Sequence, residues 1–381
     1  MKFCKKCVMP DTRPGLEFDE NGVCAACKSY ENRKAINWDA RMNELKNILN
    51  KYRSKDGSNW DCIVPVSGGK DSTYQVIKML QLGMNPLCIT FRATDLSDIG
   101  RKNIENLQSL GVDFIEFTAN PIVKDKLAKL SLEKVGDVCW IEEVGAMSFV
   151  YRSAVTYNIP LIIWGENPDS EYGGPAAGGE CIDKKWLERW GNLLGLSVND
   201  LIGTDGLKKQ MCIPYSYPSD EELAKVGVTG LYLGYYLPWD SVMNTIVARG
   251  FGLTTFEHAI EGSTEDAGNT DDYRMGVHHY FKYLKYGYSR ASDIVSQDIR
   301  AGRLVRSDGV ELVKRNDGKF PNSYLGKSLK DILKPLGLNL EEFIAICDRY
   351  TNKEYFQLDK NGKLIRDADN NLVKKSEYLV R

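Results

Sequence analysis

The stretch 67–73 combines groups that proteins use to bind phosphate, and its sequence is Ser-Gly-Gly-Lys-Asp-Ser-Thr. Its glycines allow the backbone to approach an anion closely, while its hydroxyls and lysine ammonium are donors. The run 61–66 before it is apolar and β-branched, and the run 74–82 after it has a helical pattern. A strand that leads through such a turn into a helix brings backbone N–H groups and the positive end of the helix dipole together. The sequence therefore predicts a phosphate-binding loop, although it lacks the Gly-x-x-x-x-Gly-Lys spacing of a Walker A loop.

Two Cys-x-x-Cys pairs near the start of the chain have the spacing of a four-thiolate metal site. Cys4 and Cys7 form the first pair and Cys24 and Cys27 the second, with sixteen residues between the pairs. Two such pairs supply four sulfur ligands to one tetrahedral Zn²⁺, and a closed shell of protein ligands indicates a structural role. The alternatives to zinc are an iron–sulfur cluster or a redox pair.

The phosphate loop needs a sheet to position it, and four short apolar runs predict one. Helical patterns separate these runs, which are 61–66, 86–91, 113–117 and 160–164. Such alternation is typical of a parallel sheet wrapped by helices, which binds its ligands at the carboxyl ends of the strands. The predicted fold class is therefore α/β, and the candidate site lies where Val66, Phe91 and Trp164 end their strands.

Further candidate site residues follow two of these strands. Phe91 and Arg92 stand at the end of the second strand, and Gly165 and Glu166 follow the fourth. A carboxylate at a strand end can bind Mg²⁺, a ribose or a reacting group, whereas a glutamate in a loop is commonly only solvated. The glycine-rich segment 173–179 is interpreted either as a lid over the site or as a plain connector.

Changes in composition predict four parts of the chain. They are a four-cysteine module at 1–31, a helical connection at 32–60, the phosphate-loop domain at 61–182, and a mainly helical region at 183–381 that binds the substrate or a partner. An aromatic stripe on 271–288 indicates a core helix. Charged and aromatic groups in the helical region are candidates for substrate contacts: Trp239, Asp240, Lys282, Lys285 and Arg290.

The overall composition is that of an ordinary globular protein, with 43% hydrophobic and 27% charged residues. The 381 residues include 50 basic and 52 acidic side chains, and this even balance provides no strong field for nucleic acid. The N-terminus has no apolar leader, and no stretch is long enough to span a membrane, so we expect a cytoplasmic enzyme without a membrane partner. The six remaining cysteines are scattered singly, as small buried hydrophobes commonly are.

The phosphate loop, directly after a buried strand, resembles the PP-loop of the N-type ATP pyrophosphatases, a superfamily that cleaves ATP between its α and β phosphates. Together with the cysteine pairs, several motifs resemble the N-acetyl sugar amidotransferase family, which makes acetamidino sugars for bacterial lipopolysaccharide O-antigen and flagellin glycans. This resemblance covers almost the whole chain. The motifs that carry it are 8–14 (VMPDTRP), 162–167 (IIWGEN), 172–175 (YGGP), 236–240 (YLPWD) and 315–321 (RNDGKFP).

The resemblance implies a Rossmann-like fold of the adenine nucleotide alpha-hydrolase kind, with an N-terminal zinc-ribbon-like module. It also implies that the acetamido oxygen of an N-acetylated, nucleotide-linked sugar attacks ATP, that pyrophosphate leaves, and that ammonia then displaces AMP. The implied catalytic residues are Lys70, Asp71 and Glu166, and Asp71 is expected to bind Mg²⁺ or to cap the helix. The implied ATP contacts are Val66, Ser67, Gly68, Gly69, Lys70, Asp71, Ser72, Thr73, Phe91, Arg92 and Gly165.

The sequence offers no glutaminase site of its own. A class I glutaminase needs a cysteine with a partner histidine, and none of His258, His278 and His279 stands near a Gly-Cys-Gly turn. The resemblance therefore implies a separate class I glutaminase subunit that supplies ammonia. Two alternatives stay open. One is a tRNA-modifying, thiolation-type PP-loop enzyme, which the lone cysteines and the even charge disfavour, and the other is a nucleotide-binding scaffold without catalysis.

Overall fold

The computed structural model describes residues 1–166, 171, 173, 181–182 and 197–381. Apart from Gly173, the glycine-rich segment interpreted as a lid or connector lies outside the described residues. The helical pattern at 184–194 also lies outside them.

A mostly parallel sheet forms the centre of the phosphate-loop domain. Its strands are β1 (Cys62–Pro65), β2 (Pro86–Phe91), β3 (Asp113–Phe117), β4 (Leu161–Trp164), β5 (Cys181–Ile182) and β6 (Thr229–Tyr232). Within the described residues the strand order is β3-β2-β1-β4-β6-β5, and only β5 runs antiparallel to its neighbour. The predicted α/β class with a parallel sheet is confirmed. The sequence analysis did not predict β6, which extends the sheet beyond residue 182 into the region predicted to be mainly helical.

Helices cover both faces of this sheet and build the C-terminal part. Those of the first half are α1 (Ala25–Asn32), α2 (Trp38–Tyr52), α3 (Lys70–Gln81), α4 (Asp98–Gln108), α5 (Pro121–Val135) and α6 (Trp140–Thr156). Those of the second half are α7 (Asp220–Val226), α8 (Leu233–Tyr236), α9 (Ser241–Gly250), α10 (Met275–Tyr286), α11 (Arg290–Arg300), α12 (Arg306–Asn316), α13 (Leu329–Leu333) and α14 (Leu340–Tyr350). A two-stranded hairpin, β7 (Ser323–Tyr324) and β8 (Lys327–Ser328), precedes α13. No described helix is both long enough and apolar enough to cross a bilayer.

Alternate residues of the central strands point to opposite faces, and each face has its own core. Val64 packs with α2 and α3 on one face, while Ile63 and Ile162 pack with α6 on the other. Strands buried on both faces read as continuous apolar runs, which is why the sequence located β1, β2 and β4, whereas β3 at the sheet edge is only half-buried. The helix after the loop, predicted at 74–82, begins earlier at Lys70, because Gly69 occupies the N-cap position and the loop residues form the first helical turn.

The aromatic stripe of α10 lies inside a third core. Val277, Tyr280, Phe281 and Leu284 are all buried there, together with side chains of α5, α6 and α14. The prediction that this stripe belongs to a core helix is confirmed. This core also contains Phe91 from the end of β2, so it joins the helical part directly to the sheet.

Close packing at Gly145 gives a testable stability effect. A Cβ added at Gly145 of α6 would lie 2.6 Å from ring atoms of Phe91, a distance that demands movement of a buried side chain. We expect Gly145→Ala to lower the free energy of unfolding by about 1–3 kcal/mol, measured by chemical denaturation.

Gly250 provides the matched control, since it ends helix α9 and an added Cβ would meet no atom within 4 Å. Gly250→Ala should be neutral or slightly stabilising, because alanine restricts the unfolded chain more than glycine does. Equal denaturation midpoints for the two variants would contradict the packing described.

Candidate active site and metal centre

The phosphate loop joins β1 to α3 in a conformation that requires glycine. Gly68 has a φ of +84°, in the left-handed region, and a Cβ added there would lie 3.0 Å from the backbone nitrogen of Ile104 in α4. The Ser67 hydroxyl accepts a hydrogen bond from the Gly69 N–H at 3.2 Å. The loop is therefore held close to α4, and the amino end of α3 faces the space beyond the sheet edge.

Lys70 and Asp71 form a charged pair in the first turn of α3. The Lys70 Nζ donates to Asp71 Oδ2 at 2.6 Å, and Asp71 Oδ1 accepts from Asn244 Nδ2 of α9 at 2.9 Å. Burial acts to lower the pKa of Lys70, but the carboxylates of Asp71 and Glu265 outweigh it and the pKa is raised. Lys70 is therefore charged. The N-cap of α3 is Gly69, so Asp71 does not cap the helix, which was one of the two roles expected for it.

A cavity of about 260 Å³ opens in front of this pair. The described residues that line it come from both halves of the chain: Ser67, Gly69, Lys70, Asp71, Ser72, Glu166, Glu171, Trp239, Ser241, Ala267, Gly268, Asn269, Asp271, Arg290 and Gln297. It lies at the carboxyl ends of β1 and β4, where the sequence analysis expected the site. The segment 267–271 and α11 close the side of the cavity that the sheet does not supply.

Three carboxylates that are not part of the loop line the cavity. The pKa of Glu166 is raised by burial and by the neighbouring Asp71 charge. Burial also raises the pKa of Glu171 to about 7 and the pKa of Asp271 to about 6. Carboxyl groups with such values are poised to exchange protons or to accept a cation near neutral pH.

The cavity also contains one guanidinium from the C-terminal half. Arg290, the first residue of α11, donates to the carboxylate of Glu265. Gly268 lies directly against this pair, and an added Cβ there would collide with it. Since Arg290 faces the same cavity as Lys70, an anionic group between them would meet positive charge from two directions.

The structure separates the sequence-predicted site residues into two groups. Ser67, Gly69, Lys70, Asp71, Ser72 and Glu166 line the cavity, whereas Val66, Gly68, Thr73, Phe91, Arg92 and Gly165 are not among the described lining residues. The ring of Phe91 lies in the core, 5.6 Å from that of Phe117, and Arg92 Nε is 3.8 Å from Glu116 Oε1. Gly165 packs beneath Trp239. The assignment of these residues to a nucleotide stays a prediction.

The candidate substrate contacts of the helical region divide in the same way. Trp239 and Arg290 line the cavity. Asp240 caps α9, accepting from the backbone N–H of Met243 at 3.0 Å, and Lys282 pairs with Asp293. The sequence analysis assigned no role to Glu171, Asp271 or Gln297, because no motif marks them.

The four cysteines near the N-terminus form one compact, buried group. The Sγ atoms of Cys4 and Cys27 are 3.9 Å apart, and those of Cys7 and Cys24 are 3.7 Å apart. A Zn–S bond of about 2.3 Å gives a tetrahedral edge of about 3.8 Å, so these distances fit a single ion. A cluster would place iron and sulfide between the sulfurs and hold them farther apart. Backbone N–H groups also point at the sulfurs, such as that of Cys24 at 3.3 Å from Cys4 Sγ.

The cysteine centre is anchored to the C-terminal helices. Arg306 of α12 donates from Nε to the Cys7 carbonyl at 2.9 Å and from Nη2 to the Cys4 carbonyl at 3.3 Å. Arg13 donates to Asp293 of α11 at 2.7 Å. Because α11 also carries Arg290 and Gln297, the centre supports one wall of the cavity rather than entering it.

A second group of possible ligands consists of Asp137, Cys139 and His278, whose ligand atoms lie within 4.8 Å of one another. His278 Nδ1 is 2.8 Å from Asp137 Oδ1, while the Cys139 Sγ lies 3.7 Å from the sulfur of Met275. Burial, with Asp272 nearby, raises the pKa of Cys139 well above its usual value. The thiol therefore stays protonated, and the geometry is not that of an activated nucleophile.

The parallel sheet and the loop after its first strand define an α/β protein. Residues 254–368 match the family described as LPS biosynthesis protein WbpG-like, C-terminal domain. This match covers 115 of the 381 residues and supports, for that part, the lipopolysaccharide-biosynthesis family that the sequence motifs indicated. Among solved structures, the NMN synthetase from Francisella tularensis is 12% identical and has a TM-score of 0.27, with 55% of this chain and 96% of that chain covered. Comparison with curated protein sequences finds no match.

The cysteine centre predicts a metal content that can be measured. We expect one zinc per purified chain by elemental analysis, and loss of this zinc in Cys24→Ser. Because structural zinc sites contribute about 10–16 kcal/mol of binding free energy in small domains, the variant should also melt at a clearly lower temperature.

Cys212→Ser is the control, since Cys212 is also buried but lies outside the centre. It should keep its zinc, whatever its effect on stability. Iron with visible absorbance in the wild-type protein, or no metal at all, would contradict a zinc centre.

Proposed function

We propose that the chain is the synthetase subunit of an ATP-dependent N-acetyl sugar amidotransferase of lipopolysaccharide biosynthesis. It adenylates the acetamido oxygen of an N-acetylated, nucleotide-linked sugar, and ammonia then displaces AMP to give an acetamidino sugar for surface polysaccharide or flagellin glycan. The WbpG-like family of residues 254–368 supports the pathway, and the phosphate loop supports the use of ATP.

One observation carries the proposal. The cavity has the phosphate loop on one side and the family-matched segment on the other, and Ala267, Gly268, Asn269, Asp271, Arg290 and Gln297 all come from that segment. A loop for a triphosphate and a wall specific to the family, facing one another, are what a ligase needs to bring ATP to its acceptor.

The loop side provides the contacts for the departing pyrophosphate. The backbone N–H groups at the start of α3 and the Ser67 and Ser72 hydroxyls surround the Lys70 ammonium. The Thr73 hydroxyl is buried and has no hydrogen-bond partner among the described residues. Asp71 and Glu166 are the carboxylates that would hold Mg²⁺, which neutralises charge on the phosphates.

The acceptor must be activated because amide resonance makes an acetamido carbon a poor electrophile. Attack of its oxygen on the α-phosphorus breaks the bond to the β-phosphate, so the carbon then carries AMP as a leaving group. Ammonia adds to this carbon and AMP departs. In this scheme the protein provides positioning and charge stabilisation.

The ammonia would come from a separate class I glutaminase. Among the described residues, the Cys139 thiol lies within 4.8 Å of a ring nitrogen of His278, but it is buried and protonated. We therefore propose that the chain alone uses ammonium salts but not glutamine. Glutamine-dependent turnover by the pure chain would refute the need for a partner subunit.

The activity itself is tested with ATP, Mg²⁺, ammonium chloride and a panel of nucleotide-linked N-acetylated sugars. We expect AMP, pyrophosphate and a sugar whose mass shows that one oxygen has been replaced by NH. Release of pyrophosphate without any change in a sugar would mean that the acceptor is another molecule, and tRNA would then be assayed. The absence of pyrophosphate with every acceptor would favour the alternative of a nucleotide-binding scaffold without catalysis.

The role of the loop is tested with Lys70→Met. This change removes the charge that faces the phosphates, and the rate of pyrophosphate release should fall by about 10²–10³-fold, as for other preorganised charges. Lys78→Met on the same helix is the control, because the Lys78 ammonium donates to Gln81, lies over the Tyr74 ring and does not line the cavity. Similar rates for the two variants would remove Lys70 from the mechanism.

A further inference from the structure

The proposed adenylation has a proton requirement that the phosphate loop cannot meet. When the acetamido oxygen bonds to phosphorus, positive charge develops on the amide nitrogen, and a neutral imidate forms only if the N–H proton leaves. When ammonia later adds to the carbon, the same nitrogen must regain a proton. A group that accepts and then returns a proton must therefore face the acceptor end of the cavity.

Most acidic side chains at the cavity have other partners. Asp71 is bonded to Lys70 and Asn244. Glu171 accepts from Gln297 at 3.3 Å and lies 3.8 Å from Arg33. Glu166 is close enough to Asp71 and Lys70 for their charges to shift its pKa, so it belongs to the phosphate end.

Asp271 differs from these three acidic residues in its position at the cavity and in its hydrogen bonds. It lines the cavity from the family-matched segment, and its carboxylate accepts no hydrogen bond from another residue in the described part of the chain. Its backbone is fixed: the Asp271 carbonyl accepts from the Ser97 N–H at 2.9 Å, and a Cβ added at Gly100 would lie 2.8 Å from the Asp271 Cα. The backbone is thus held in place at the cavity wall, while the side-chain oxygens remain available to a ligand.

We propose that Asp271 is the catalytic base of acceptor activation, a role that rests on the proposed function. As the amide oxygen bonds to the α-phosphorus and the bond to pyrophosphate breaks, the Asp271 carboxylate takes the amide N–H proton. As ammonia adds to the imidate carbon, the Asp271 carboxyl returns this proton to the sugar nitrogen. AMP then leaves with the electron pair of its C–O bond and takes one proton from the added ammonium nitrogen on its phosphate, so that the amidinium product carries three N–H protons. No oxidant, reductant or further reactant is needed.

The surroundings of Asp271 suit both steps. Burial, with the neighbouring charge of Asp272, raises its pKa to about 6, so the group is ionised near neutral pH yet more basic than an ordinary aspartate. The other charged residues that line the cavity are Lys70, Asp71, Glu166, Glu171 and Arg290, and Asp95 and Asp98 lie on the packed segment that leads into α4. Of these, Asp95 is neutralised by Lys327 at 2.7 Å.

The test compares Asp271→Asn with Asp266→Asn. Asp266 lies on the same segment, is partly exposed, and pairs with Arg249 away from the cavity. With ammonium and a sugar that the wild type uses, Asp271→Asn should lower kcat by about 10²–10⁴-fold, the usual range for a general base. The KM for ATP should change little, Asp266→Asn should resemble the wild type, and Asp271→Glu should restore part of the rate.

The pH profile separates a base from a structural residue. The wild-type rate should rise as Asp271 ionises, through an apparent pKa near 6, and then level off. Asp271→Asn should lack this rise, and its residual rate should climb with hydroxide instead. An acceptor with an N-methylated acetamido group, which has no proton to give, should be equally poor with both proteins.

The outcomes distinguish the two proposals. If the wild type releases no pyrophosphate with any sugar, the proposed function and the base both fail. If the wild type turns over but Asp271→Asn keeps more than about one-tenth of kcat with an unchanged pH profile, only the base is overturned. Should Asp271→Asn fail to fold, the wild-type profile decides alone, because a rate independent of pH between about 5 and 7 excludes a base with this pKa.

Discussion

The candidate site depends on the buried positive charge of Lys70, which the neighbouring carboxylate of Asp71 compensates. Only 7% of the Lys70 side chain is exposed, and an ammonium in such a place would lose its proton without a compensating carboxylate. Asp71 supplies that compensation from the next position in the chain, and Asn244 holds Asp71 in turn. The docking of α9 against α3 therefore helps to fix the carboxylate that balances the Lys70 charge at the cavity. In this way a contact between the two halves of the chain sets the electrostatics of the phosphate loop.

The other charged groups at the cavity also differ in which neighbouring charges compensate them. Glu166 lies close to Lys70 and Asp71, Arg290 is balanced by Glu265, and Asp271 lines the cavity without a hydrogen bond from another described residue. Acids in similar burial thus have different electrostatic surroundings because their neighbours differ. The cysteine centre contributes from outside, since Arg306 and Arg13 tie it to the helices that carry the cavity wall.

Local patterns were sufficient to predict much of the fold. The runs that form β1, β2 and β4 are apolar and largely buried on both faces, and the loop and the cysteine pairs each have a fixed spacing that carries its own chemistry. β6 was missed because Thr229–Tyr232 is only four residues long and contains glycine, and its strand character comes from pairing with β4. The position of Phe91 at a strand end was predicted, but the direction of its ring into the core was not. Asp271 and Glu171 have no local signature, because their burial depends on segments far away in sequence.

The contacts that anchor the cysteine centre to the C-terminal helices can form only late in the synthesis of the chain. Cys7 and its partner Arg306 are 299 positions apart, and Thr12 donates to the carbonyl of Tyr286 across 274 positions. The phosphate loop is complete once α3 has left the ribosome, yet the wall that faces it is not made until α11 has followed. A nascent chain thus has the loop at 67–73 long before it has the opposite wall of the cavity. Contacts of such long range also make folding slow, because each closes a loop of about three quarters of the chain. The four-cysteine module can therefore dock in its final place only after α12 has been made.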